Sequence, residues 1–217
     1  MVSFLNKEKF IVKRSSSIRQ IDTYKLALQT AIDNITHPEM QKIFYNDFDR
    51  LIHWVNNYPD ELINILNESL KYEYLHIGRT IRAFKTHPLT QTTTENIVNK
   101  VGSKVLKFKN TRDILSACSF FTKLLAQKII NVKTITDTGF YCTWPVLFWY
   151  LAKNKKYIEV DGQEWETPDK FEKEIKEIGF HNWLDQFQTN EEWEKRVDLL
   201  NDCLIELFHI TKINMEI

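Results

Sequence analysis

The stretch FYCTWPVLFWYLA, residues 140–152, carries no charge and six aromatic rings, and no other part of the 217-residue chain is as apolar. It is too short to cross a bilayer, which needs about 20 apolar residues. Proline is tolerated in the first turn of a helix, so Pro145 predicts a helix here with Thr143 as its N-cap. Apolar residues on every side predict a buried core helix. The alternative is an aromatic pocket that stacks a base or a flat ligand.

Apolar residues also recur at helical spacing on both sides of this stretch. The pattern predicts helices over residues 18–35, 43–55, 62–84, 97–108, 112–130 and 168–178, and a last long helix over 193–208. The helix over 62–84 either runs on or kinks in its second half. With only five glycines and five prolines, we expect short connections between these helices.

One short segment favours strands instead of a helix. Asp161-Gly162 separates the runs 157–160 and 163–166, and Asp-Gly between such runs is typical of a two-stranded β-hairpin. We therefore expect an all-α fold, a multi-helix globular bundle of eight or nine helices, with one small β-hairpin near residues 157–166.

The length of the chain is enough for one large or two small domains. We expect an N-terminal helical subdomain, residues 1–90, and a C-terminal helical subdomain, residues 91–217, around the apolar helix at 140–152. The two would form one globular unit.

The three cysteines, Cys118, Cys142 and Cys203, are far apart and lie in apolar surroundings. This usage is typical of reduced core residues in an intracellular protein, and not of a disulfide framework or a zinc site. Met1–Leu5 is short and lysines follow it, which does not fit a signal peptide. We therefore expect a cytoplasmic protein without a membrane segment.

Sequence motifs for metals and cofactors are missing. The six histidines are scattered and no His-x-x-x-His or cysteine pair occurs, so we expect no metal site. The chain has no Walker loop, no G-x-G-x-x-G and no G-x-S-x-G, and we expect no cofactor.

Charge is segregated along the chain although the net charge is zero. Residues 79–135 hold 11 Lys and Arg against 2 acids, whereas residues 155–217 hold 8 against 16. Such a layout indicates either an anionic partner for the middle of the chain or an internal pairing of the basic middle with the acidic C-terminal part.

The basic central region, residues 79–134, is the leading candidate for a functional surface. Lys and Arg on phosphates release counterions, so a stripe of them favours nucleic-acid binding to DNA or RNA. The candidate binding residues are Arg79, Arg82, Lys100, Lys104, Lys107, Lys109 and Arg112. The alternative hypothesis is a protein–protein interaction or regulatory module without catalytic activity, which would bind a protein partner or self-associate.

Arg82 and His87 form a second candidate site. An Arg, four residues and a His resemble the active-site motif of HEPN-domain ribonucleases, which are all-helical. The resemblance covers six residues. It implies that the Arg and the His act on the scissile phosphate, usually across a dimer, with the His able to serve as general base. Position 83 is Ala where that motif usually has a polar residue, and Pro88 follows the His directly.

Asp137 is a third candidate. A helix ending in Lys123, a loop with Asp137 and an aromatic helix loosely resemble the second half of helix-hairpin-helix base-excision glycosylases. The Gly-rich hairpin of those enzymes is missing here. The alternative for Asp137 is a turn residue before Gly139.

Overall fold

The computed structural model describes residues 10–36 and 42–215, with side chains up to residue 211. Over these described residues the structure has ten helices and a four-stranded mixed sheet, and it is 59% helical and 10% strand. The expected all-α bundle with one small hairpin is therefore wrong, and the fold is mixed α/β. Met1–Leu5, on which the argument about a signal peptide rests, lies outside the described residues.

In chain order the elements are α1 (Gln20–Asn34), β1 (Lys42–Tyr45), α2 (Phe48–Asn57), α3 (Pro59–Ser69), β2 (Tyr74–Arg79), α4 (Ile81–Lys85), α5 (Leu89–Val105), β3 (Ser119–Thr122), α6 (Lys123–Ile129), α7 (Phe140–Leu151), β4 (Lys155–Val160), a 3₁₀ turn (Thr167–Lys170), α8 (Glu172–Ile178), α9 (Phe180–Asp185) and α10 (Asn190–Met215).

The four strands form one sheet in the order β1-β3-β2-β4. Strand β3 runs antiparallel to both β1 and β2, whereas β2 and β4 pair in parallel. Consequently β1, β2 and β4 all point the same way, and their carboxyl ends meet the start of β3 at one rim of the sheet. Each side of the predicted boundary at residue 90 contributes two strands. The division into subdomains stays a prediction.

Helices cover both faces of the sheet. On one face Tyr74 and Phe121 pack against α1, α6 and α7, and the rings of Phe121 and Phe148 stack at 4.3 Å. On the other face Leu75 and Ile77 pack against α2 and α3. Covering both faces explains why all six residues of β2 are buried.

The apolar stretch at 140–152 forms helix α7, as predicted, and most of the helix is buried or half-buried, whereas Tyr150 and Leu151 in its last turn are exposed. Its Phe148 packs against the sheet, while Cys142 and Val146 pack against α5 and α10. Its predicted start is wrong. Gly139 is the N-cap and Thr143 lies in the first turn, so Pro145 stands inside the helix. The Thr143 hydroxyl donates to the Gly139 carbonyl instead of capping.

Two predicted helices are shorter than expected because strands precede or follow them. The helix predicted over 43–55 begins only at Phe48, after β1. The helix predicted over 62–84 ends at Ser69, and β2 follows. Short apolar runs and fully buried strands lack the alternation that distinguishes a strand from a buried helix.

The helix predicted over 112–130 is also wrong over most of its length. An irregular segment leads into β3, and only Lys123–Ile129 is helical. Within that segment Ala117 has a φ of 54°. A left-handed backbone at a residue other than glycine cannot continue a right-handed helix.

The hairpin predicted near 157–166 does not form. Strand β4 pairs with β2, and residues 163–166 lie outside the sheet. The Asp161-Gly162 turn is held by α3 instead, because Glu61 accepts hydrogen bonds from the N–H groups of Asp161 (2.9 Å) and Gly162 (2.8 Å).

Among the described residues, no helix combines the length and the apolar character needed to cross a membrane. The cytoplasmic location stays a prediction.

Candidate functional site

A polar cavity of about 330 Å³ lies at the carboxyl-end rim of the sheet, and we call it the rim cavity. Ligands of open α/β sheets bind in the crevice outside the carboxyl ends of the strands. Residues next to all four strands line the cavity. Asp47 follows β1, Arg79 is the last residue of β2, Ala117 precedes β3, and Glu166 lies in the segment that follows β4. Other lining residues come from α2, α5 and α10: Arg50, Gln91, Glu95, Arg196 and Leu199.

Arg79 is the most deeply buried charge at the cavity. Its Nε donates to Asp113 Oδ2 (2.6 Å) and its Nη2 donates to Asp113 Oδ1 (2.9 Å). Nη2 also donates to Glu95, and the side chain of Arg79 is only 1% exposed. Burial alone would lower the pKa of Arg79, but Asp113 and Glu95 more than offset it and raise that pKa. The arginine is therefore a fixed cation.

The contact with Arg79 lowers the pKa of Asp113, whereas it raises the pKa of Arg79. Burial would raise the pKa of its carboxyl, but Arg79 overrides burial and lowers the pKa to about 2. Asn99 supports the pair, because its Nδ2 donates to Asp113 Oδ1 (2.9 Å). Its Oδ1 accepts from the Ile114 N–H (2.7 Å). The network therefore fixes the irregular segment before β3 against α5.

Helix α5 presents a polar face to the interior. Thr90, Gln91, Thr94, Glu95, Asn99 and Ser103 are buried. The apolar residues Ile97 and Val101, which the predicted stripe placed inside, are 42% and 37% exposed. Buried polar networks cost desolvation energy, and they are common at functional sites. In α5 the polar residues are thus buried and the apolar ones exposed, and two of the buried polar residues, Gln91 and Glu95, line the cavity.

Arg50 and Glu166 form a second buried pair across the cavity. Arg50 Nε donates to Glu166 Oε2 (3.3 Å) and Nη1 donates to the carbonyl of Ser116 (2.9 Å). Burial opposes the charge of Arg50, yet Glu166 prevails and the pKa of Arg50 is raised. The Nη2 group of Arg50 has no acceptor among the described residues.

Asp47 differs from the other acids at the cavity. It is the N-cap residue of α2, but its carboxylate makes no capping hydrogen bond, and it accepts none from any described residue. Burial raises the pKa of Asp47, and the opposing attraction of Arg50 does not cancel that effect. Asp49 and Glu166 raise it further. A carboxyl group with a raised pKa at a cavity wall is suited to proton exchange.

Ala117 adds a strained backbone position to the cavity wall. Its φ of 54° lies in the left-handed region, which residues other than glycine adopt at a cost. Such residues cluster at ligand sites, where the surrounding structure holds them in place.

The arginines of the predicted basic region are engaged in ion pairs. Arg79 is buried as described. Arg82 pairs with Asp161 (3.0 Å) and with Glu164, and Arg112 pairs with Glu159 (3.1 Å). Internal pairing of the basic middle with the acidic C-terminal part therefore occurs for Arg82 and Arg112, whereas Arg79 pairs with acids of the middle itself.

The lysines of that region behave differently. Lys100, Lys104, Lys107 and Lys109 are all exposed on the second half of α5 and the turn that follows. In the part of the chain that the structure describes, none of the four forms a salt bridge. Nucleic-acid binding through this region stays a prediction.

The structure does not join Arg82 and His87 into one site. Arg82 is 49% exposed and contacts Tyr58, Asp161 and Glu164. His87 is buried, and Arg79 Nη1 donates to its Nε2 (3.3 Å), so the proton lies on Nδ1, which donates to the Ala83 carbonyl (3.2 Å). Burial, together with Arg79 and Arg50, holds the pKa of His87 well below its usual value. The ribonuclease hypothesis stays a prediction.

Asp137 stabilises the start of α1. Its Oδ1 accepts a hydrogen bond from the Ile21 N–H (3.2 Å), in the first turn of the helix, and lies 3.9 Å from Arg19 Nε. Arg19, the N-cap residue, supplies no capping side chain itself. Asp137 therefore caps a helix more than 100 residues away in sequence.

No cluster of three or more His, Cys, Asp or Glu suited to a metal ion occurs in the described ranges. The sequence interpretation included Arg79 but missed Asp47, Arg50, Glu95, Glu166 and Arg196. Glu95 carried a signal, since it is one of two acids in a strongly basic segment.

No protein-family model, curated protein or solved structure matches this chain.

Proposed function

We propose that the rim cavity binds a small polar molecule with an acidic group, and that Asp47 exchanges a proton with it. The observation that carries this proposal is the Asp47 carboxyl, which has a raised pKa and accepts no hydrogen bond from a described residue. It faces a cavity lined by three arginines.

The size of the cavity supports a small ligand. Small-molecule sites usually occupy about 300–1,000 Å³, and the rim cavity, at about 330 Å³, is at the lower end. A polymer could reach it only with one projecting group. The wall is mainly polar, and Trp165 and Leu199 are among its few apolar side chains.

Two arginines have donors to spare for an acidic group. Arg50 Nη2 has no acceptor among the described residues. Arg196, at 31% exposure, donates through Nη2 to Gln91 Oε1 (3.0 Å), while its Nη1 lies 3.9 Å from Glu95. Guanidinium groups bind carboxylates and phosphates through paired hydrogen bonds. An acidic group between Arg50 and Arg196 would satisfy both.

Asp47 and Glu166 have different environments. Glu166 is held in an ion pair with Arg50, whereas burial favours the protonated form of Asp47. A pair of carboxyl groups in unlike environments can supply an acid and a base to one bound molecule. This arrangement supports acid–base chemistry on the ligand, in which Asp47 exchanges the proton.

Calorimetric titration with ribose 5-phosphate, a small hydroxylated acid, tests the binding. We expect Arg196→Gln to weaken binding by about 10-fold, since a charged hydrogen bond contributes on the order of 1.5–3 kcal/mol. Arg112→Gln is the matched control, because Arg112 lies in a surface ion pair and does not line the cavity. Equal affinity in both variants would refute the site.

Proton exchange is measured in the same titrations. Repeating them in two buffers of different ionisation enthalpy gives the number of protons taken up or released. We expect Asp47→Asn to change that number, because it removes the titrating carboxyl. An unchanged proton count would remove Asp47 from the mechanism and leave the binding site intact.

A second candidate function is nucleic-acid association through Lys100, Lys104, Lys107 and Lys109. The supporting observation is that these four exposed lysines form no salt bridge with a described residue, unlike the neighbouring arginines. Binding of labelled DNA and RNA at two salt concentrations tests it. We expect affinity that falls steeply with salt and falls again in Lys100→Glu/Lys104→Glu. The control is the double substitution of Lys173 and Lys176 on α8 by Glu.

A further inference from the structure

The wall of the rim cavity carries equal numbers of cationic and acidic side chains. These residues are Arg50, Arg79, Arg196, Asp47, Glu95 and Glu166. A cleft that concentrates one kind of ion is lined by charge of the opposite sign. The balance of charge at this cavity therefore favours a ligand that carries both a negative and a positive group.

Glu95 already has donors within the protein. Its Oε2 accepts a hydrogen bond from Arg79 Nη2, and its Oε1 accepts one from Gln91 Nε2 (2.8 Å). Both oxygens of this carboxylate are thus paired. A cationic group of the ligand gains more from an acid that lacks such donors.

Asp47 is the acid that lacks donors, because the cations around it are paired elsewhere. Arg50 forms an ion pair with Glu166 (3.3 Å), and Lys170 forms one with Asp49. Both cations lower the pKa of Asp47 through their charge, yet neither donates a hydrogen bond to its carboxyl. A ligand with a cationic group would supply the partner that Asp47 lacks.

Unpaired atoms of both kinds are open to a ligand. The acceptors are both carboxyl oxygens of Asp47 and Oε1 of Glu166, and the donors are Nη2 of Arg50 and Nη1 of Arg196. None of these atoms forms a hydrogen bond with a described residue. None of them is closed off from solvent, because the buried unpaired atoms of the described chain are others. The site thus presents free acceptors beside free donors.

The two charged groups of the ligand must lie close together. Asp47 is the N-cap residue of α2, and Arg50 is the third residue of that helix. Side chains three positions apart along a helix begin about 5–6 Å from each other. An ammonium and a carboxylate on the same carbon atom match this spacing, whereas groups at the two ends of a long chain do not.

We infer that the ligand of the rim cavity is an α-amino acid, with its carboxylate at Arg50 and Arg196 and its ammonium at Asp47. This inference rests on the proposed function and names its ligand class. Near pH 7 a free amino acid carries both charges. Guanidinium groups pair with carboxylates, and an ammonium has three donors, which suits the unpaired carboxyl oxygens. The side chain of the amino acid lies toward Trp165 and Leu199, in the apolar part of the wall.

Proton exchange by Asp47 then depends on the charge of the ligand beside it. The charged and titratable groups around Asp47 in the free protein are Arg50 and Asp49 on α2, Glu166 and Lys170 after β4, Tyr24 on α1, Tyr45 on β1 and Tyr141 on α7. An ammonium beside Asp47 favours its ionised form, so binding of an amino acid releases a proton from the carboxyl to solvent. A 2-hydroxy acid brings only an anion, which favours the neutral carboxyl and causes uptake of a proton.

Calorimetric titration at several pH values between about 4 and 7 tests the inference, since this range lies above the ordinary pKa of a carboxyl. The probes are L-alanine, L-leucine and L-glutamate, their analogues L-lactate, L-2-hydroxyisocaproate and L-2-hydroxyglutarate, and ribose 5-phosphate. We expect at least one amino acid to bind about 10-fold or more tightly than its analogue, because only the ammonium forms charged hydrogen bonds with Asp47. If an analogue or ribose 5-phosphate binds and no amino acid exceeds its analogue, the ammonium is refuted and the proposed function stands. If none of the probes binds, both are refuted.

Two matched variants locate the ammonium. Asp47→Asn removes the charge, so we expect the preference for the amino acid to fall about 10-fold and the proton release to disappear. The 2-hydroxy acid should still bind to this variant, which shows that the site is folded. Asp49→Asn is the control, because Asp49 is a neighbouring acid of α2 that pairs with Lys170 and does not line the rim cavity. A preference that survives Asp47→Asn, or amino-acid binding without proton release at every pH, would overturn the placement of the ammonium.

Discussion

The buried pair of Arg79 and Asp113 allows a quantitative prediction for Asp113→Asn. The substitution keeps the shape of the side chain and removes its charge. It leaves Arg79, whose side chain is 1% exposed, with Glu95 as its remaining carboxylate. It also replaces one of the two Asp113 oxygens that accept hydrogen bonds from Arg79 by an amide NH₂ group, which can only donate. Breaking a buried pair in this way costs about 3–5 kcal/mol at pH 7.

The electrostatic part of that cost follows from the pKa of Asp113. Burial opposes ionisation, but Arg79 lowers the pKa from its ordinary 3.8 to about 2. At about 1.4 kcal/mol per pH unit, this corresponds to about 2–3 kcal/mol of stability. Because the folded-state pKa is depressed, that stability is present above pH 4 and is lost as the pH falls toward 2. About half of it should be gone at pH 3.

Urea denaturation followed by tryptophan fluorescence measures the effect at pH 7 and at pH 3. Asp161→Asn is the matched control, because Asp161 pairs with Arg82 at the surface, where such pairs contribute about 0–1 kcal/mol. We expect the destabilisation by Asp113→Asn to shrink by about 1 kcal/mol at pH 3. A cost no larger than that of the control, or one that does not change with pH, would refute the reasoning.

Three further substitutions give independent checks by urea denaturation. Burial raises the pKa of Asp47, so the charged form of this residue destabilises the fold. Asp47→Asn should therefore have the larger free energy of unfolding at pH 7. The difference from the unsubstituted protein should vanish below pH 4 and grow above it by at most about 1.4 kcal/mol per pH unit. Asp137→Ala removes the hydrogen bond to the Ile21 N–H and should cost about 1 kcal/mol, and a cost near zero would exclude a capping role. Gly162→Ala would place a methyl group against the ring of Trp54, which is fully buried, and should cost about 1–3 kcal/mol or more; an unchanged midpoint would show that the ring can move.

The sequence was most informative where one physical signal dominated. The uncharged stretch at 140–152 favoured a core helix, and it forms α7, whose first three turns pack into the core. Thr189 and Glu192 have the spacing of a capping box at the start of α10, and the Thr189 side chain accepts a hydrogen bond from the Glu192 N–H (3.4 Å). In both cases residues that are close together in the sequence determine the local structure.

The strands were missed because their identity depends on partners that are distant in sequence. All six residues of β2 are buried, so buried and exposed side chains do not alternate along it. Its neighbour β4 begins about 80 residues later. The Asp161-Gly162 turn was recognisable, but Glu61 binds its N–H groups, and no local pattern reveals that acceptor.

The candidate site was largely hidden for a related reason. Arg79, Glu95 and Asp113 appeared in the sequence as scattered charges, and their meeting depends on the pairing of the strands. Asp47 follows a strand of four residues that was interpreted as part of a helix. Once that strand is recognised, the position of Asp47 at the carboxyl-end rim makes it a candidate.

The position of β2 in the sheet also affects how the chain folds during synthesis. β2 is complete at Arg79, but its parallel partner β4 is complete only at Val160. At about 5–20 residues per second, the ribosome needs about 4–16 s to make the intervening chain. For that time the edge of β2, a strand that is fully buried in the finished fold, has no β4 to pair with, and unpaired strand edges pair readily with other chains. Nascent chains stalled before residue 155 should therefore depend on chaperones far more than the finished protein does.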